Sequence, residues 1–374
     1  MDTARAHQEF LRTRIFPGLD GLRCLSIILV MAHHVSGLHH GLIGRGYLGV
    51  SLFFAISGFL ITSLLLRERE AHGFISLVRF YGRRSLRIFP LYYAVLGVYT
   101  LLVLFLEKGA QEKADFFNNL PAFLTYTSNW FVPLEPGTRI IFYFAWSLAT
   151  EEQFYLLWPG VMRLAHRWGA VLFMAGLLVV SLWAPWAVET GQLNDSLLSV
   201  RILASFAAPI CMGCLAAYAV HSPTGFAWVY RVLGHAWMPP LLLALVLGAV
   251  ATAGVPYALT SLVMTALVVS TCLRTRHWLM PVLTLAPIRY VGMISYGVYL
   301  MHMLALNMVR RAVPGQGFAV TFLLTLGATV VAAGLSYRYF ETRFLRLKEK
   351  LAAGPAPEKA SPVPSSAPAS SPAP

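Results

Sequence analysis

Apolar segments long enough to cross about 30 Å of hydrocarbon recur ten times along this chain. They fall at residues 21–37, 47–66, 88–106, 142–162, 169–188, 200–220, 238–254, 256–273, 289–309 and 318–340. The ninth is interrupted by polar residues, and Gly254–Pro256 divides the seventh from the eighth. Composition agrees: 57% of the 374 residues are hydrophobic and only 12% charged, with a mean hydropathy of +0.64. Soluble domains are roughly 25% charged, and a soluble chain this apolar would expose patches too large to stay monomeric. The first apolar stretch lacks a small-residue cleavage site, so it reads as a retained helix. Four cysteines give no disulfide framework. The sequence therefore predicts an all-α, polytopic membrane protein of about ten transmembrane helices.

Net charge is +13, which would suit a nucleic-acid surface if the cations shared one soluble face. They sort by loop instead. With residues 1–20 as a cytoplasmic arm, 22 of the 29 basic residues fall on the inner side. The outer side receives seven: Arg45, Lys108, Lys113, Arg139, Arg201, Arg310 and Arg311. Such a bias in short loops is the positive-inside pattern. It predicts a multi-pass protein of the inner (cytoplasmic) cell membrane, with both termini cytoplasmic, the lipid bilayer as partner and no nucleic-acid partner. Residues 352–374, rich in Pro, Ala and Ser, read as a disordered cytoplasmic tail. The outer loop at 107–141 is long enough to cover or shape a site.

Ionisable groups inside a span cost several kcal/mol unless paired or hydrated, so they mark function by default. In LDGLRCLSIILVMAHH, Arg23 stands at the inner interface and His33 and His34 lie deeper. Eleven residues is about 20° beyond three helical turns and a rise of about 16 Å, so Arg23 and His34 share a face and His33 points away. Alone, His34 is equally a structural, hydrogen-bonded histidine. WSLATEEQFYLLWP carries adjacent Glu151 and Glu152 about 15 Å deep. Ser57 in FFAISGFLIT and His302 in ISYGVYLMHM reach a similar depth. Four helices thus bring polar side chains to one level.

At the inner face, RFYGRRSLRIFP carries Arg83, Arg84 and Arg87. Arg84 and Arg87, three apart on a helix, can grip a polyphosphate bidentately, although anionic lipid would use the same charges. Cys211 and Cys214 lie in an apolar helix and read as small packing residues. His39 and His40 lack nearby carboxylate or thiolate partners, so no metal site is expected. No P-loop or dinucleotide glycine pattern occurs.

These blocks resemble acyltransferase family 3, integral membrane O-acyltransferases of polysaccharides, lipopolysaccharide, peptidoglycan or macrolides. The likeness runs from Leu19 to about Leu345, setting a membrane domain at 21–345. Arg23 and His34 look like the family's arginine-x10-histidine motif, and GYLGVSLFFAISGFLIT like its second-helix block. RRSLRIFP resembles its arginine-x-x-arginine motif, WSLATEEQFYLLWP its acidic block, and VGMISYGVYLMHM and SYRYFETRF its late blocks. Ser51 stands where an acidic residue is common, and Arg343 where proline is. Many relatives carry a fused extracytoplasmic hydrolase-like domain; this chain looks like a stand-alone version without one.

The resemblance implies a cytoplasmic acyl-CoA donor, acetyl-CoA above all, and a carbohydrate or glycoside hydroxyl as acceptor at or beyond the outer face. It implies that Arg84 and Arg87, with Arg23, hold the coenzyme phosphates. His34 would act as general base or be acylated transiently, with Glu151 or Glu152 orienting its imidazole. Ser57, Tyr296 and His302 would line the pocket. The alternative from another class is a proton-coupled transporter or flippase using the same buried His and Glu residues.

Overall fold

A proline opens the first membrane helix because its missing N–H and fixed φ suit the first helical turn; the computed structural model places it at Pro17. Residues 3–13, 15–132 and 140–353 are described, with side chains through residue 347. The described residues are mostly helical, and among them there is no strand. The helices used below are α1 (Thr3–Arg12), α2 (Pro17–Ser36), α3 (Gly49–His72), α4 (Leu77–Leu106), α5 (Ala110–Leu124) and α6 (Ala145–Leu164). They continue with α7 (Arg167–Glu189), α8 (Leu198–Ala204), α9 (Ala208–His221), α10 (Pro223–Leu233), α11 (Met238–Ala251) and α12 (Tyr257–Leu273). Last come α13 (Ala286–Met293), α14 (Ser295–Ala312), α15 (Phe318–Ser336) and α16 (Thr342–Ala353).

Each of the ten apolar segments is helical. Five helices are long and apolar enough to cross a membrane unaided, and up to eight spans result if each bent helix pair counts as one. The bent pairs are α8–α9 (48°), α10–α11 (73°) and α13–α14 (81°). Two segments stay outside that count: α12 has 17 residues, and α6 carries Glu151, Glu152 and Gln153. The protein is an all-α, polytopic integral membrane protein.

Helices α2, α3 and α9 form the centre, contributing buried residues to two apolar clusters, one on either side. Glycine permits a close crossing of α3 and α9. A Cβ on Gly58 would meet the Ile210 carbonyl oxygen at 2.2 Å, and one on Gly213 the Ala55 oxygen at 2.5 Å. Small residues bring lipid-embedded helices together in this way, and Cys211 and Cys214 lie buried in the same contact.

The N-terminal arm is structured: α1 buries Ala6, His7 and Phe10, and Phe10 packs on Phe16, Phe59 and Phe226. The arginine cluster belongs to α4 itself, which starts at Leu77 rather than near residue 88. The loop at 107–141 turns back into the bundle. Its α5 runs along α4, Tyr92 and Tyr93 donating to the Phe123 and Leu124 carbonyls at 2.7 and 3.0 Å. Residues 133–139 of that loop lie outside the described residues. At the far end α16 continues to Ala353, past the expected start of the tail at 352; residues 354–374 lie outside the described residues.

Candidate active site

The arginines gather where α2 and α4 meet. A cavity of about 500 Å³ is bounded by Asp20 and Arg23 of α2, Glu68 of α3 and Arg83, Arg84 and Arg87 of α4. Through Arg23, Leu60, Ile61, Arg84 and Arg87 it shares walls with a deeper cavity of about 110 Å³. That inner cavity adds Ser57, Ser147, Glu151, Glu152, Tyr155, Tyr296 and Tyr299.

The arginines are not equivalent. Arg23 is paired with Asp20 at 2.8 Å, and Arg83 lies 3.6 Å from Glu68. Arg84 sits over the Tyr155 ring, 4.7 Å from its centroid. Neither Arg84 nor Arg87 has an ion-pair partner among the described residues. Both are half-buried. A half-buried guanidinium without a carboxylate keeps its fork of donors for an anion.

Deeper in, Glu151 accepts hydrogen bonds from the Ser57 and Tyr155 hydroxyls. Glu152 lines the same cavity without a hydrogen bond among the described residues. The next residue, Gln153, exchanges two hydrogen bonds with Asn129, at 2.8 and 2.9 Å, and donates to the Tyr126 carbonyl. Tyr126 (φ 54°) and Phe142 (φ 69°) hold left-handed backbone, a conformation costly for bulky residues and concentrated at functional sites. Tyr296 lines the cavity and donates to the Ile88 carbonyl at 3.0 Å.

His34 and His302 stand behind the Tyr299 wall rather than in the cavity lining. Their rings meet, His302 Nε2 lying 3.2 Å from His34 Nδ1. Hydrogen-bond bookkeeping assigns the protons. His302 Nδ1 faces the Tyr299 carbonyl, which can only accept, so Nδ1 carries the hydrogen and Nε2 a lone pair. His34 Nδ1 faces both that lone pair and the Val30 carbonyl at 2.9 Å, so it too carries hydrogen. The unprotonated nitrogen of His34 is therefore Nε2, the form required of a base or nucleophile. His33 turns away, its Nδ1 2.7 Å from the Gly44 carbonyl.

The expected residues thus fall into two groups: Arg23, Ser57, Arg84, Arg87, Glu151, Glu152 and Tyr296 around the cavity, and His34 with His302 behind it. Tyr299 joins them. Its carbonyl holds His302, and its hydroxyl pairs with Ser147 at 2.6 Å and with the Phe144 carbonyl at 3.0 Å. Among the described residues neither glutamate hydrogen-bonds either imidazole, so His302 takes the place beside His34 expected of a glutamate.

Three further polar groups were not predicted. Tyr155 and Tyr299 lie one turn from Glu151 and His302, a spacing readable in sequence. Glu341 ends a five-residue π-turn, Tyr337–Glu341, accepts from Ser336 at 3.3 Å and faces Gly297 of α14. A π-turn inserts a residue and is frequent at functional sites.

Fold and site define a polytopic membrane protein with an arginine-mouthed polar centre enclosed by its helices. The acyltransferase domain family matches residues 16–338, and the chain belongs to this family, acyltransferase family 3. It is 26% identical, over 92% of its length and 59% of the relative's, to a Staphylococcus aureus (strain COL) protein provisionally named an O-acetyltransferase. It is 27% identical to the peptidoglycan O-acetyltransferase OatA of Listeria monocytogenes, over 87% of this chain and 55% of that one. With the O-acetyltransferase OatA of Staphylococcus aureus (strain NCTC 8325) it shares 35% identity over 47% of its length and 29% of the relative's. The chain spans less than three fifths of the length of these curated relatives. No solved structure matches it.

Proposed function

We propose that this protein is a membrane O-acyltransferase, moving an acetyl group from cytoplasmic acetyl-CoA to a hydroxyl of an extracytoplasmic or membrane-associated glycan or glycoside. One observation carries the reading: two half-buried arginines without ion-pair partners among the described residues, Arg84 and Arg87, stand where an open vestibule meets a polar inner cavity. Coenzyme A has a polyphosphate at one end and a thioester at the end of a long arm. Phosphates on Arg84, Arg87 and Arg23 would leave that arm directed inward, and the Arg23–His34 rise of about 16 Å is a span it can cover.

His34 Nε2 then takes the proton of the acceptor hydroxyl as its oxygen bonds to the acyl carbon. The carbon–sulfur bond breaks, and the thiolate leaves with that proton. In the two-step variant Nε2 itself bonds the acyl carbon first and passes it on. His302 holds the His34 ring in the required tautomer; Ser57, Tyr155 and Glu151 shape the thioester end. The topology, with both termini and the arginine mouth cytoplasmic, rests on the positive-inside distribution of charge.

The test is donor kinetics. Reversing Arg84 and Arg87 to glutamate should raise the acetyl-CoA KM by at least about tenfold, a charge-assisted pair contributing about 1.5–3 kcal/mol. An unchanged KM overturns the phosphate role. A transporter using the same buried groups would instead move substrate into vesicles without consuming acetyl-CoA.

A further inference from the structure

A second cavity opens at the opposite end of α2. It measures about 440 Å³ and is bounded by Val35 and Ser36 of α2, Arg310 of α14, and the turn carrying Gln316 and Phe318. The arginine vestibule reaches Asp20 and Arg23 at the start of the same helix. The two mouths therefore lie at opposite ends of one span, and His34 is the residue immediately before the lining of the second.

The chemistry of this cavity differs from that of the first. Arg310 donates from a single amino group to the carbonyls of His34 (3.4 Å) and Val35 (3.0 Å). That anchors it over the C-terminal end of α2, where unpaired carbonyls favour a cation. The remaining donors of its fork stay available. Ser36, Gln316 and Thr321 add hydroxyl and amide groups, Phe318 adds a partly exposed ring, and among the described residues no carboxylate lines the cavity.

We propose that this cavity is the acceptor subsite and that it takes a sugar ring of a glycan. A sugar presents a C–H face that suits Phe318, and a rim of hydroxyls or acidic substituents that suits Arg310 and Gln316. The inference rests on the acyltransferase reading and deepens it: donor and acceptor enter from opposite faces and meet at His34. The acceptor oxygen bonds to the acyl carbon as CoA thiolate leaves, the proton passing by way of His34 Nε2. No transport of either substrate across the membrane is needed.

Gly317 lies between Gln316 and Phe318, and a side chain there would meet open space, while the four native cysteines are all buried. Full-length Gly317→Cys in cells, treated with the membrane-impermeant thiol reagent sulfonatoethyl methanethiosulfonate, gives the test. Two quantities are read: base-labile acetyl groups newly formed on cell-envelope glycan, and the acetyl-CoA KM for CoA release by the purified protein in vesicles. Unreacted Gly317→Cys should acetylate within about twofold of wild type, and the reacted protein at least about fivefold less, with the acetyl-CoA KM unchanged. Arg310→Gln should lower glycan acetylation with the same unchanged KM. Complete labelling without loss of acetylation overturns the proposal, as does an equal effect on the donor KM. Wild-type protein that neither acetylates glycan nor releases CoA would instead overturn the acyltransferase reading, a failure visible before any labelling.

Discussion

The His34 ring is held by a neighbour 268 positions away. Because the Tyr299 carbonyl fixes the tautomer of His302, and His302 that of His34, the unprotonated nitrogen of His34 is set by two hydrogen bonds. His34→Ala should remove transfer by about 10²–10⁴-fold, the usual range for a lost general base, while folding is retained. His302→Ala should cost less and be partly rescued by His302→Gln, whose amide oxygen can still accept from Nδ1. His33→Ala should stay within about threefold of wild type, since His33 serves the Gly44 carbonyl; glycan acetylation in membranes from each variant checks all three. That His34, Ser57, Glu151, Glu152 and His302 lie on helices was legible in the sequence, from the apolar segments around them. Which of them touch was not. That depends on how each helix is rotated about its axis, and α14, set at 81° to α13, turns His302 rather than a glutamate toward His34.

At the scale of elements, helices are legible where burial is a sum over their own residues, which is why the ten apolar segments stand out. It fails where an element is held by its neighbours. Helix α5 carries Gln111, Glu112, Lys113 and two asparagines and reads as an outer loop, yet Phe116 and Phe123 are fully buried against the bundle. Glu341 falls within the late block SYRYFETRF, but the π-turn that carries it leaves no hydropathy signal. The crossing of α3 and α9 tests the packing directly. Gly58→Val or Gly213→Val would drive a side chain into facing backbone, and overpacking of this kind costs about 1–3 kcal/mol. Both should lower the melting temperature in detergent, whereas Gly97→Ala, with open space around it, should not.

For the whole molecule, a single span carries a mouth at each end and a histidine pair between, an arrangement suited to chemistry across a barrier. Stability should depend on pH outside the site as well. His277, between α12 and α13, is 5% exposed, and among the described residues neither ring nitrogen has a hydrogen-bond partner. Burial, and then the Arg274 charge, push its pKa down to about 4. The folded chain keeps it neutral while the unfolded chain binds a proton below about pH 6.5. Its contribution is therefore complete above that pH and is lost as pH falls toward 4. Thermal melts of wild type should drop over that window, and those of His277→Leu should drop less. The central claim is that acetyl transfer passes through His34, and radiolabelled acetyl-CoA given to purified wild-type and His34→Ala protein in glycan-bearing membrane vesicles tests it most directly. The account predicts label reaching glycan with wild type and none above background with a folded His34→Ala variant; wild-type turnover in that variant would contradict it.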